Sequence, residues 1–120
     1  MENFHVNLEL DGQVAALNMA GDLTHTAEQK LNAAYEKASN AKAHRLILNF
    51  EDVEYINSAG MSVVITMLTS AQEAGQELRA HGLSAHFKKI FDMVGLLKYI
   101  KHFDSSAEAW EGANVHRREQ

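Results

Sequence analysis

The chain has no cysteine and no proline in 120 residues. The first absence removes disulfides, thiolate metal sites and any cysteine nucleophile. The second means that no helix or strand is interrupted by a proline and no Pro-rich linker separates modules. Positive charge is also scarce. Lys and Arg number 11 against 16 Asp and Glu, a net charge of −5. That balance argues against nucleic acid or an anionic membrane as a partner. Long apolar runs are missing as well. The longest, Met61 to Leu68, carries Ser62 and Thr66 and is far too short to span a bilayer. The N-terminus from Met1 to Asn7 is polar and alternating, without a basic start, so it does not read as a signal peptide. A cytoplasmic location is expected. No Gly-x-Gly-x-x-Gly or Gly-x-x-x-x-Gly-Lys loop is present to cradle a phosphate. The seven histidines have no ligand spacing. Neither a cofactor nor a metal is expected.

What is present reads as one globular domain, with 46% apolar and 22% charged residues. The expected domain covers residues 1–112, with a polar tail over 113–120. Phe4, Val6, Leu8 and Leu10 alternate with polar residues, the period of a half-buried strand. Asp11-Gly12 is a tight-turn signal, and Val14 to Met19 reads as the returning strand, ended by Gly21. Ala27, Leu31, Ala34 and Ala38 mark an amphipathic helix starting near Thr24 or Thr26, where Thr26 and Gln29 match a capping box. Leu46 to Phe50 is a continuous apolar run, which suits a strand covered on both faces. Glu51 to Asn57 reads as a loop. From Ser58 a helix runs to about Ala74, with Gly75 as its C-terminal stop. Met61, Val64, Ile65, Leu68 and Ala71 form one apolar line on it, beside Val63, Met67 and Ala74. So broad a face is either deeply packed or partly reserved for a partner. Glu77 to His81 is a short strand. Ser84 opens a third helix carrying Phe87, Ile90, Phe91 and Val94. Tyr99, Ile100 and Phe103 suit a last strand, and Ser105 with Glu108 caps a short final helix. The order predicts an α/β fold with a mixed sheet: an N-terminal hairpin, then parallel strands, with about four helices.

In such sheets, contacts that carry function gather beyond the carboxyl ends of the parallel strands. The segment Tyr55-Ile56-Asn57-Ser58-Ala59-Gly60-Met61 occupies that place. Ser58 has two readings. The first is a helix N-cap. The second is a phosphorylation site, where the helix dipole and free amides tolerate the added charge. Gly60 beside it leaves room for another protein to approach. Hydrolysis by Ser58 is a third possibility, but the segment is not a Gly-x-Ser-x-Gly elbow and no His or acid is placed as its partner. Asp22 and Thr24 are either turn residues or part of a partner surface beside Ser58.

Three segments together resemble the STAS family of anti-sigma factor antagonists across almost the whole chain. Gly21-Asp22-Leu23, followed by Thr26-Ala27-Glu28, is similar to the segment leading into the family's first helix. Ile56-Asn57-Ser58-Ala59-Gly60-Met61 is similar to its Asp-Ser-Ser-Gly-Leu phosphorylation motif. Phe91, Gly95-Leu96, Phe103, Ser105, Glu108 and Ala109 resemble its C-terminal signature. Asn57 stands where the family usually has Asp, Ala59 where a second hydroxyl is common, and Thr24 where an Asp is usual. The resemblance implies a STAS fold and a binding protein, not an enzyme. It implies that an anti-sigma factor serine kinase phosphorylates Ser58 and that a metal-dependent serine phosphatase reverses this. The unmodified form binds the anti-sigma factor and frees the sigma factor; phosphorylation ends binding. The expected partner-binding residues are Asp22, Thr24, Asn57, Ser58, Ala59, Gly60 and Met61. A second possibility is a constitutive subunit of a larger signalling or lipid-transport complex, docked through the apolar face from Met61 to Ala74.

Overall fold

A computed structural model describes residues 3–112. The polar tail expected over 113–120 lies outside them. Two strands open the chain, β1 (Phe4–Asp11) and β2 (Val14–Leu23), joined by the turn at Gly12 and Gln13. They pair antiparallel, from Phe4 opposite Gly21 to Asp11 opposite Val14. A 3-10 turn at His25–Ala27 leads into α1 (Glu28–Asn40). Then follow β3 (Arg45–Ile56), α2 (Ser58–Glu73), β4 (Glu77–His81), α3 (Ala85–Met93), a 3-10 turn at Leu96–Lys98, β5 (Ile100–Phe103) and α4 (Ser106–Trp110). The sheet order is β1-β2-β3-β4-β5, and every pair after the hairpin is parallel. The α/β fold with a hairpin and parallel strands is therefore as the sequence predicts.

Parallel strands laid down in sequential order, with crossovers of one hand, place the connecting helices on one face. The burial agrees. Leu46, Leu48 and Phe50 of β3 join a core with Leu31, Ala34 and Ala38 of α1, Val64 and Leu68 of α2, and Phe91 of α3. Phe91 meets Phe50 edge-on, with ring centroids 5.5 Å apart, the arrangement aromatic quadrupoles favour. Ile47 points the other way and packs with Val14, Ala16 and Ala109, under Phe103 and Trp110. So β3 is covered on both faces, and α4 covers the second. Arg45, 4% exposed, bonds Glu77 at 2.9 Å and the carbonyls of Trp110 and Glu111. Arg79 bonds the carbonyls of Ala109 and Glu111. Two guanidinium groups thus satisfy the last carbonyls of α4, where cations are also favoured by the helix dipole.

Several expectations change. β2 does not stop at Gly21; it runs on to Leu23. The segment Glu51 to Ile56 is strand, not loop, because it pairs with this extension, from Asp52 opposite Ala20 to Ile56 opposite Leu23. Thr26 and Gln29 do not form the expected capping box. Thr24 caps the 3-10 turn instead, its Oγ1 accepting from the Thr26 amide at 3.4 Å. On α2 the apolar face is deeply packed: Val63, Val64, Met67, Leu68 and Ala71 are buried, while Ile65 and Ala74 are exposed. On α3, Phe91 is the buried residue, and Val94 is 54% exposed.

Candidate functional site

The carboxyl ends of β2 and β3 lie side by side, with Asp22 opposite Tyr55 and Leu23 opposite Ile56. The start of α2 rests directly on them. Asn57 donates its amide to the Leu23 carbonyl at 3.3 Å. Its side-chain Oδ1 accepts from the Gly60 amide at 2.8 Å. Asn57 is therefore the N-cap, and Ser58 is the first residue inside the helix. The capping reading of Ser58 is corrected: a neighbour with a better-placed oxygen does that work. Ser58 is exposed. The amides of the first helical turn have no intrahelical acceptor, so the backbone around Ser58 is electropositive.

Gly60 has a different role from the one its sequence position suggests. It is buried, and a Cβ on it would lie 2.5 Å from the Leu23 carbonyl carbon and 3.1 Å from the Thr24 amide nitrogen. The close approach is made by the chain's own β2. The absence of a side chain lets α2 descend onto the strand end, and this sets where Ser58 stands.

Asp22 and Thr24 belong to the same corner. Asp22 donates its amide to the Asn3 carbonyl at 2.7 Å, and its Oδ2 accepts from the Asn3 side chain at 3.3 Å. Thr24 Oγ1 lies 3.0 Å from Thr26 Oγ1. Both side chains are half-buried and engaged locally, so turn chemistry accounts for them; they also border the helix start that carries Ser58. Ala59 and Met61 are half-buried on the first turn.

Beside Ser58 opens a shallow cleft of about 430 Å³ lined by Tyr55, Ile56, Asn57, Ser58, Met61, Ile90 and Val94. Tyr55 is 52% exposed. The lining holds no carboxylate and no imidazole, so nothing in it could serve Ser58 as a general base. On the other flank, His25, Glu28, Ala59 and Ser62 border a hollow of about 270 Å³. The sequence reading missed the contribution of α3. The signal was available: Ile90 and Val94, four residues apart, share one flank of the helix beside Phe91, and one buried aromatic does not use the whole apolar stripe. Among the described residues no group of three or more His, Cys, Asp or Glu could hold a metal ion. No helix among them is long and apolar enough to cross a membrane.

The parallel-sheet corner thus presents an exposed serine at a helix start, beside the exposed side chains of Tyr55 and Val94. The family described as "Mlab, STAS domain" matches residues 6–101, and the chain belongs to the STAS family. It is similar to an anti-sigma F factor antagonist of Paenibacillus polymyxa, 18% identical over 108 residues, covering 89% of this chain and 92% of that one. Its fold is similar to the anti-sigma factor antagonist SpoIIAA in its unphosphorylated form, with TM-score 0.70 at 18% identity, covering 96% and 98% of the two chains. It is also similar to a sulfate transporter family protein from Wolinella succinogenes, with TM-score 0.75 at 16% identity and 92% of each chain covered.

Proposed function

We propose that this protein is an anti-sigma factor antagonist and a binding protein, switched by phosphorylation of Ser58. One observation carries the reading. Asn57 caps α2, so the exposed Ser58 hydroxyl has no structural duty where the strand ends, the helix dipole and an apolar rim converge. The similarity to anti-sigma factor antagonists supports it. In the unmodified form, Tyr55, Met61, Ile90 and Val94 dock an apolar patch of an anti-sigma factor serine kinase, with Ser58 inside the contact. Asp22, Thr24, Asn57, Ala59 and Gly60 shape the corner. A phosphate adds a charge of about −1.5 to −2. The first-turn amides stabilise it while the protein is free. In the complex it would be a desolvated charge among apolar groups, which costs several kcal/mol. Binding is lost and the domain stays folded. A metal-dependent serine phosphatase restores the hydroxyl.

The test is incubation with the partner kinase and ATP, read by intact mass. The chain should gain one phosphate and Ser58→Ala none; a phosphate on Ser58→Ala would refute the assignment. Ser58→Asp should fold as the parent does and lose affinity by calorimetry, and unchanged affinity would refute the switch. A constitutive subunit of a larger assembly is the second reading, favoured by the likeness to the sulfate transporter family protein. Its expected docking face, Met61 to Ala74, is largely core, so it too would have to use the rim around Ser58. Co-purification with a transporter subunit, and no kinase, would select it.

A further inference from the structure

The sheet begins at β1, and among the described residues no strand pairs with its outer side. Its phase follows from the hairpin. Asp11 pairs with Val14 across the two-residue turn, and the Asn3 carbonyl accepts from the Asp22 amide at 2.7 Å. Hydrogen-bonded pairs alternate along an antiparallel ladder. The odd-numbered residues of β1 therefore turn their amides and carbonyls toward β2. Phe4, Val6, Leu8 and Leu10 turn theirs outward. The Phe4 carbonyl accepts from Lys30 Nζ at 2.8 Å, as an outward oxygen can. Beyond it, the register runs unbroken to Asp11, so no bulge twists the edge away.

Along this edge runs a groove of about 590 Å³ between β1 and α1. Val6 and Leu8 form one side; the small side chains of Ala33 and Ala34 leave space on the other. Its ionisable lining groups are His5, Lys30 and Lys37, with no carboxylate, on a chain of net charge −5. We propose that β1 and α1 bind an extended acidic segment of a protein partner, added as a sixth strand along Val6 to Leu10 with its carboxylates facing Lys37. Main-chain hydrogen bonds supply the register-independent part of such binding, and side chains of alternate residues supply selectivity. A second copy of the chain fits the groove poorly. Two-fold pairing of β1 with its equivalent would bring two α1 helices together and set lysines against lysines. The surface is two strands away from β3, whose end leads to Ser58, so it is separate from the switch.

The experiment uses the full chain, ¹⁵N-labelled, and a blocked octapeptide alternating Glu and Val. One control peptide has Lys for Glu; the other is N-methylated on alternate backbone amides. The acidic peptide should bind, and exchange of the Val6 and Leu8 amides should slow about tenfold when nine-tenths of the protein is occupied, since exchange then proceeds from the free tenth. Both control peptides should bind at least about tenfold more weakly, and Lys37→Glu, a change at an exposed position, should weaken the acidic peptide by a similar factor. Ser58→Asp should leave this binding unchanged, which separates it from the switch. The proposal is overturned by no saturation up to about 1 mM peptide, by equal binding of either control, or by perturbation at Tyr55 and Val94 without slowed exchange at β1. A dimer seen by light scattering, with Val6 and Leu8 already protected, would also overturn it.

Discussion

Replacing Gly60 with alanine probes the packing that fixes the position of Ser58. A Cβ at Gly60 lies 2.5 Å from the Leu23 carbonyl carbon, and closer still to its oxygen. Carbon atoms in contact sit at about 3.5–4.0 Å, so the first turn of α2 must retreat by about 1 Å or more. The obstruction is backbone paired in the sheet, and no flexible side chain can swing aside. Retreat also stretches the Asn57 to Leu23 hydrogen bond, already 3.3 Å long. Overpacking of this kind costs about 1–3 kcal/mol, and a weakened buried hydrogen bond adds about 1 kcal/mol. Alanine's higher helix propensity returns about 1 kcal/mol. The expected net loss is about 1–3 kcal/mol, toward the upper end because the obstruction is backbone, measured by urea unfolding with an unchanged slope. Gly75→Ala is the control. Its Cβ would meet nothing within 4 Å, and its φ of +73° costs about 1–2 kcal/mol for a residue with a side chain. If Gly60→Ala were no more destabilising than Gly75→Ala, the close seat of α2 on β2 would be wrong, and with it the account of how Ser58 is positioned.

Asn57→Ala should cost about 1 kcal/mol through loss of the cap, whereas Ser58→Ala should stay within about 0.5 kcal/mol of the parent; equal effects in thermal unfolding would contradict the division of labour at the helix start. His102 accepts from the Leu83 amide at 3.4 Å, and burial, with Lys88 and His81 nearby, holds its pKa below the ordinary 6.5 despite the opposing charge of Asp104. The unfolded chain takes up that proton first, so the contribution of His102 to stability is flat above about pH 6.5 and falls as pH drops below it. His102→Gln should flatten the decline between pH 6.5 and 5.5 in urea midpoints, and an undiminished decline would exclude His102 as its source. Glu77 acts at lower pH: burial raises its pKa, but hydrogen bonds from Arg79 and Arg45 outweigh it and the net direction is down from 4.5. Its contribution is present above that value and is lost as pH falls through the depressed one.

Most of the architecture was legible in periodicity. The hairpin, the three crossovers and the short β4 were read directly from alternation, helical stripes and Gly stops. The second half of β3 was not, and the reason is physical. β3 pairs with β4 only from Arg45 to Asn49; past that point its one neighbour is β2. Glu51, Asp52 and Glu54 are therefore exposed, and a half-paired strand of acidic residues looks like a loop. Gly21 misled for a related reason: it breaks the pattern yet sits within β2 at a φ of +97°, where the strand shifts register. Ile65 fits the helical stripe by spacing but faces solvent, because α2 packs on the sheet through Val64, Leu68 and Ala71. The segment that carries Ser58 was singled out from its place in the topology. Its apolar surroundings were not, since Tyr55 and Val94 come from β3 and α3 and meet only in the folded chain.

The assignment of the cap to Asn57 has an evolutionary consequence. Folding places almost no demand on position 58, while it favours a capping side chain at 57 and excludes a Cβ at 60. A lineage could therefore lose the hydroxyl, or replace it by a fixed carboxylate, in one substitution and keep a stable domain. If Ser58 is the proposed switch, drift from a reversible form to a permanently engaged or permanently silent one would leave no mark on stability. Under that proposal the residue at position 58 records how this chain is regulated, unmixed with any record of how it folds.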